Sequence, residues 1–175
     1  MHTRYPKSQG FTLFELMIGM FIVMILTGYG LPAYKNLKMN SSMTSAINQL
    51  IAGLSYARNQ SIIRTEQIIV CPSTDLSACA GSADWHLGWM VFIDENMNRV
   101  FDGDDEILTS ENPMNAQLTA QSSAYRKLVR YDKFGSSPGT NVTINFCDNR
   151  GSEFAKSVVI NNIGRPRVSQ SGHCD

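Results

Sequence analysis

Two arginines flank a proline near the end of the chain, in Gly164-Arg165-Pro166-Arg167. The proline fixes its own φ and biases Arg165 toward an extended backbone. Residues two apart in an extended chain share a face, so both guanidiniums are expected on one side. Forked, charged donors placed in this way suit the oxygens of phosphate groups. Gly164 permits a tight turn, or a close approach to another surface, just ahead of them. Arg130, Lys133, Arg150 and Lys156 come from the preceding strands and are expected to extend the same basic surface, with Ser169 and Gln170 assisting.

Other chemistry is thinly represented. Asp94-x-Asn96-x-Asn98 opens like a calcium loop, but Arg99 stands where the sharp turn needs glycine and Asp105 where a bidentate Glu is required. An acidic hairpin loop is the expectation there, without a metal. The cysteines form no C-x-x-C pair and the histidines are isolated, so zinc is not expected. His86 and His173 sit in no nucleophile motif, and neither a G-x-S-x-G turn nor a phosphate-cradling glycine loop occurs. The residues therefore predict no enzymatic activity and no cofactor.

The elements that must position these residues can be read from periodicity. Leu16 to Tyr34 is a run of 19 residues without a charge, about 28 Å long as a helix, close to the hydrocarbon thickness of a bilayer. Arg4 and Lys7 precede it without an acid, which keeps that end cytoplasmic. Glu15 lies at the start of the apolar stretch, and a carboxylate in hydrocarbon is a functional candidate by default. From Lys35 to Arg64 the pattern stays helical, with Met43, Ile47, Leu50, Ile51, Leu54 and Ala57 forming one apolar stripe. Strands are expected at Ile68–Val70, Trp89–Ile93, Glu106–Thr109, Leu128–Tyr131, Val142–Cys147 and Val158–Ile160. Asn112 to Ser123 reads as a polar connection and Gly135 to Gly139 as a loop tip. Trp85 and Trp89 are expected in the core. A long helix followed by antiparallel strands is an α+β architecture.

The segment GFTLFELMIGMFIVMILTGYGLPAY, Gly10 to Tyr34, resembles the class III signal of type IV pilins and type II secretion pseudopilins. That resemblance implies cleavage by prepilin peptidase after Gly10, N-methylation of Phe11, and a role for Glu15 as the assembly carboxylate that neutralises a neighbouring subunit's terminal amine. Pro32 matches the helix-kinking proline. IIVCPS, WHLGWMVFIDEN, DGDDEIL, INFCDNRG and IGRPR further resemble the GspH/FimT type of minor pilin. The implied fold is a long kinked N-terminal helix packed on an antiparallel β-sheet domain. The expected boundaries are a leader at 1–10, a transmembrane and assembly half-helix at 11–34, an amphipathic half at 35–64, and a β-rich domain at 65–175.

The implied location is a single pass of the inner membrane with the C-terminal domain periplasmic, and the extracellular pilus after assembly. Other major and minor pilins are the implied partners, together with the peptidase. A periplasmic domain permits disulfides. Cys71, Cys79, Cys147 and Cys174 allow three pairings, of which proximity favours Cys71–Cys79, leaving Cys147–Cys174.

The total of 15 basic against 15 acidic residues argues against a nucleic-acid partner until it is divided. Residues 11–65 carry net +3, residues 66–111 net −9, and residues 126–175 net +4. The asymmetry marks a directed electrostatic patch at the C-terminal end. FimT-type pilins with a C-terminal G-R-x-R resemble this chain best. The implied function is sequence-independent capture of extracellular double-stranded DNA for natural transformation. The alternative is a purely structural tip or priming minor pilin, or a type II secretion pseudopilin, that does not bind DNA.

Overall fold

A computed structural model of the chain describes residues 10–103 and 105–174. The expected leader lies outside the described residues except for Gly10. The chain divides into two compact units, one ending at Asn40 and one beginning at Ser41.

In the first unit, helix α1 spans Leu13–Ile25 and opens with a capping box. The Thr12 hydroxyl accepts the Glu15 amide, and the Glu15 carboxylate accepts the Thr12 amide at 2.9 Å. A π-helical turn, Leu26–Gly30, follows and leads into helix α2, Leu31–Arg64. Pro32, at the second position of α2, has no N–H for the carbonyl four residues back, and the ladder widens to π-type just before it. Thr27 Oγ1 donates to the Val23 carbonyl at 2.8 Å, which gives the hydroxyl a partner within the helix. No α1 residue is buried. Leu13–Arg64 is, by length and composition, apolar enough to cross a membrane, with a mean hydropathy of 1.9 in its most apolar stretch.

In the second unit, the remainder of α2 buries Met43, Ala46, Ile47, Leu50, Gly53, Leu54, Ala57 and Ser61. These residues are the expected stripe widened by small side chains. Two four-stranded antiparallel sheets share the core it covers. The first contains β1 (Ile68–Pro72), β2 (Trp89–Ile93), β3 (Glu106–Glu111) and β5 (Val129–Tyr131), in the order β3-β2-β1-β5. The second contains β4 (Leu118–Ser122), β6 (Val142–Asp148), β7 (Lys156–Ile160) and β8 (Pro166–Ser169), in the order β4-β6-β7-β8. β1 and β2 are buried on both faces. Ile68, Val70, Val91 and Ile93 enter the main core, whereas Ile69, Cys71, Met90 and Phe92 form a second cluster with Phe101 and Leu128.

Two strands depart from the sequence reading. The expected connection from Asn112 to Ser123 contains β4, in which Leu118 and Ala120 point inward and Thr119 and Gln121 outward. One of its two inward residues is a methyl group, too little apolar signal to stand out from its polar neighbours. The chain after Gly164 forms β8, an edge strand paired with β7. Pro166 at its first position fits, because an edge strand has one side with no ladder to supply.

Trp89 fixes how closely α2 approaches the first sheet. A Cβ on Gly53 would fall 2.0 Å from the Trp89 ring, so only glycine lets helix and indole meet. Every described buried residue lies at Met43 or beyond, so the unit from Ser41 carries its own core. Gly53→Val is expected to destabilise that unit by about 1–3 kcal/mol, read as a lowered midpoint in urea unfolding followed by tryptophan fluorescence. An unchanged midpoint contradicts the packing.

Candidate nucleic-acid interface

Arg165 directly precedes β8 and Arg167 lies within it, and both are exposed. The register sets Arg167 opposite Val159 and Pro166 opposite Ile160. Val158 and Ile160 face the core, so strand alternation turns Val159 and Arg167 to the outer face of the second sheet. That face is a polar hollow of about 610 Å³, lined by residues that include Thr143, Asn145, Val159, Arg126 and His173 and, among the described residues, by no carboxylate.

Both ends of β8 are fastened. Ahead of it, Gly164 has φ +80°, a conformation that favours glycine, and its amide donates to the Asn161 carbonyl at 2.8 Å. A Cβ there would meet the Gly135 carbonyl oxygen at 2.3 Å and the Tyr131 ring at 3.1 Å. Arg58 Nε donates to that same carbonyl at 2.8 Å. Behind β8, the Ser157 hydroxyl donates to the Ser171 carbonyl at 2.7 Å and the His173 amide to Asn145 Oδ1 at 3.3 Å. Disulfides join Cys147 to Cys174 and Cys71 to Cys79. The arginine pair is therefore carried on a pinned edge strand.

The other expected basic residues are distributed differently. Lys133 is exposed in the turn after β5, which packs on the Gly164 turn through Gly135. Arg130 belongs to the first sheet, opposite Ile69, and its Nη2 donates to the Pro138 carbonyl at 2.9 Å. Lys156 shares its strand face with Val158 and Ile160, so it points away from the side that carries Arg167. Arg150 forms a salt bridge of 2.6 Å with Asp148, whose side chain is fully buried, and stacks on Phe154 at 4.3 Å. The structure thus brings Gly164, Arg165, Arg167 and the Lys133 turn together, and leaves Arg130, Arg150 and Lys156 elsewhere. Basic count along the chain carries no strand parity, so these could not be separated beforehand. Arg58 and Tyr131, which support the Gly164 turn, gave no signal except that Tyr131 precedes a glycine-containing loop. Burial pushes the Tyr131 phenol well above its usual range, against a smaller pull from Arg58.

The expected calcium-like stretch is an Asx-built loop. Buried Asp94 accepts the amides of Asn98 and Arg99, each at 3.0 Å. Among the described residues, no group of three or more His, Cys, Asp or Glu is gathered to hold a metal.

A family model described as type II transport protein GspH matches residues 46–164. A second, the prokaryotic N-terminal methylation motif, matches residues 5–30. Comparison with curated proteins gives no match. Among solved structures, the chain is similar to two crystal forms of the type IV minor pilin FimU from Pseudomonas aeruginosa PAO1, each at 20% identity. The first alignment covers 76% of this chain and 92% of FimU with a TM-score of 0.59, and the second 72% and 91% with 0.55.

The Asp148–Arg150 pair sets a pH dependence. Hydrogen bonds from the Arg150 side chain hold the Asp148 carboxyl below its usual range, against the upward push of burial. A carboxyl lowered in the folded state stabilises above its unfolded pKa and loses that contribution as pH falls through the folded value. Asp148→Asn should therefore cost about 3 kcal/mol at pH 7, the scale for breaking a buried pair. The gap from wild type should narrow toward pH 3 in urea unfolding of the unit from Ser41. A gap that does not depend on pH contradicts the assignment.

Proposed function

Because the chain belongs to the GspH family, as a type IV minor pilin of the GspH/FimT kind, we propose that it is a pilus subunit that binds extracellular double-stranded DNA through Arg165 and Arg167. The observation that carries this reading is the exposed arginine pair on an edge strand fastened at both ends, beside a polar hollow. Fastening lowers the ordering penalty of binding. The arginines grip phosphate oxygens, with Lys133 assisting from the adjoining turn. Such contacts position DNA without reading its sequence. The biological role is DNA uptake in natural transformation, in which pilus retraction draws the bound DNA inward.

In the same reading the chain is processed by prepilin peptidase after Gly10 and methylated at Phe11. It resides in the inner membrane with its β-rich domain periplasmic before it joins other pilins in the fibre. Glu15, held in the capping box with Thr12, serves assembly by meeting a neighbour's terminal amine. The second reading is a subunit that only builds the fibre or primes its assembly, in a pilus or a secretion pseudopilus. The likeness in fold to a protein described as a minor pilin favours it.

The two readings separate in one titration. The unit from Ser41 should bind duplex DNA weakly at low salt, irrespective of sequence. The plot of log affinity against log salt should have a slope of about −2 for the Arg165/Arg167 grip alone, at roughly −0.9 per phosphate neutralised, and steeper with Lys133. The Arg165→Gln/Arg167→Gln variant should lose binding and transformation while pili still assemble. Unchanged affinity in that variant removes the site, and no binding by wild type leaves the structural subunit.

A further inference from the structure

Two turns meet beside Arg165. The first, residues 132–137, is closed by Asp132, whose Oδ1 accepts the amides of Phe134 at 2.9 Å and Ser136 at 3.0 Å, and whose Oδ2 accepts the Ser136 hydroxyl at 2.6 Å. The second, residues 161–164, is joined to it by the Ser137 amide, which donates to the Asn162 carbonyl at 2.9 Å, and by the close Gly164–Gly135 contact. The junction presents Phe134, 74% exposed, and Ile163, 62% exposed, in the same neighbourhood as Lys133 and Arg165. Lys133 Nζ lies over the Phe134 ring, 5.4 Å from its centroid.

A phenyl ring held outward on a closed turn with cations beside it matches one ligand chemistry well. An unpaired nucleobase stacks on the ring while its flanking phosphates meet the cations. Blunt duplex DNA hides its base faces except at its ends, so the arginine grip alone would treat duplex and single strand alike, whereas the ring would not. We propose that Phe134, with Lys133 and Arg165, is a stacking platform for an unpaired base. The domain then prefers single-stranded DNA, or duplex ends with overhangs, to blunt duplex. The proposal rests on the DNA-binding reading of Arg165 and Arg167 and narrows its substrate.

The test titrates the full chain in non-ionic detergent with a single-stranded oligonucleotide containing 2-aminopurine, and with a blunt duplex of equal length. The single strand should bind more tightly and its 2-aminopurine emission should change on binding. Phe134→Ala should weaken single-strand affinity by roughly 5- to 150-fold, the scale of one base stacked on an aromatic ring, and should leave duplex affinity unchanged. Phe134→Trp should restore the single-strand preference. Equal affinity for the two DNAs in wild type overturns the platform, as does an unchanged single-strand affinity in Phe134→Ala. The same holds if Phe134→Ala instead impairs pilus assembly with DNA binding intact, which would give the ring to a neighbouring subunit. Failure of wild type to bind either DNA removes the DNA-binding reading itself. DNA binding that responds to Arg165→Gln/Arg167→Gln, with a single-strand affinity that does not respond to Phe134→Ala, removes the platform alone.

Discussion

The carbonyl of Gly135 is shared by three parts of the chain. Arg58 Nε, on α2, donates to it at 2.8 Å. The Gly164 turn lies so close that a Cβ there would come within 2.3 Å of the same oxygen, and the Ile62 side chain leaves no room for a Cβ on Gly135 itself. Both glycines have positive φ, +73° and +80°, so neither could carry a side chain without strain even if space were made. A hydrogen bond from a charged donor contributes roughly 1.5–3 kcal/mol, and here it ties helix, first sheet and second sheet at one point. Whatever this end of the unit displays takes its position from that junction.

The electrostatics follow from how charges are shared locally. Ten acids lie between residues 66 and 111, in the segment that builds β1, β2 and β3. Asp94 satisfies backbone amides of its own loop, and Glu106 takes Arg64 at 3.0 Å. In the C-terminal stretch Asp148 takes Arg150. The Arg64–Glu106 pair joins two regions and offsets one charge of each, whereas Asp148 and Arg150 already cancel within the C-terminal total and Asp94, bonded to neutral amides, keeps its charge. Arg165 and Arg167 are carried at the outer face of a sheet whose hollow is lined, among the described residues, without a carboxylate.

The helix stripe and most strands were legible because burial leaves a period in the sequence: 3.6 for Met43, Ile47, Leu50, Leu54 and Ala57, and two for Val142, Ile144 and Phe146. Gly53 was not legible, since its place under Trp89 depends on a helix-to-sheet distance that only the folded chain sets. β4 and β8 were hidden because one buries little more than a leucine and an alanine and the other lies on an edge. At the candidate site, the type and spacing of Arg165 and Arg167 could be read directly. The separation of Arg130, Arg150 and Lys156 from that pair depends on sheet membership, ion pairing and strand parity. Phe134 gave no period to read, because a turn has none.

β8 has a consequence for the behaviour of the isolated protein. The outer edge of the second sheet is a row of backbone donors and acceptors without a neighbouring strand, the kind of surface along which proteins add further strands and grow into aggregates. Pro166 withholds one donor from that row, and the charges of Arg165 and Arg167 repel a second copy laid alongside. The arginine-proline-arginine run thus guards the edge whether or not it also meets a ligand. Colloidal stability and ligand capture are therefore joined in one short stretch of chain, and a change made there to alter one acts on the other as well.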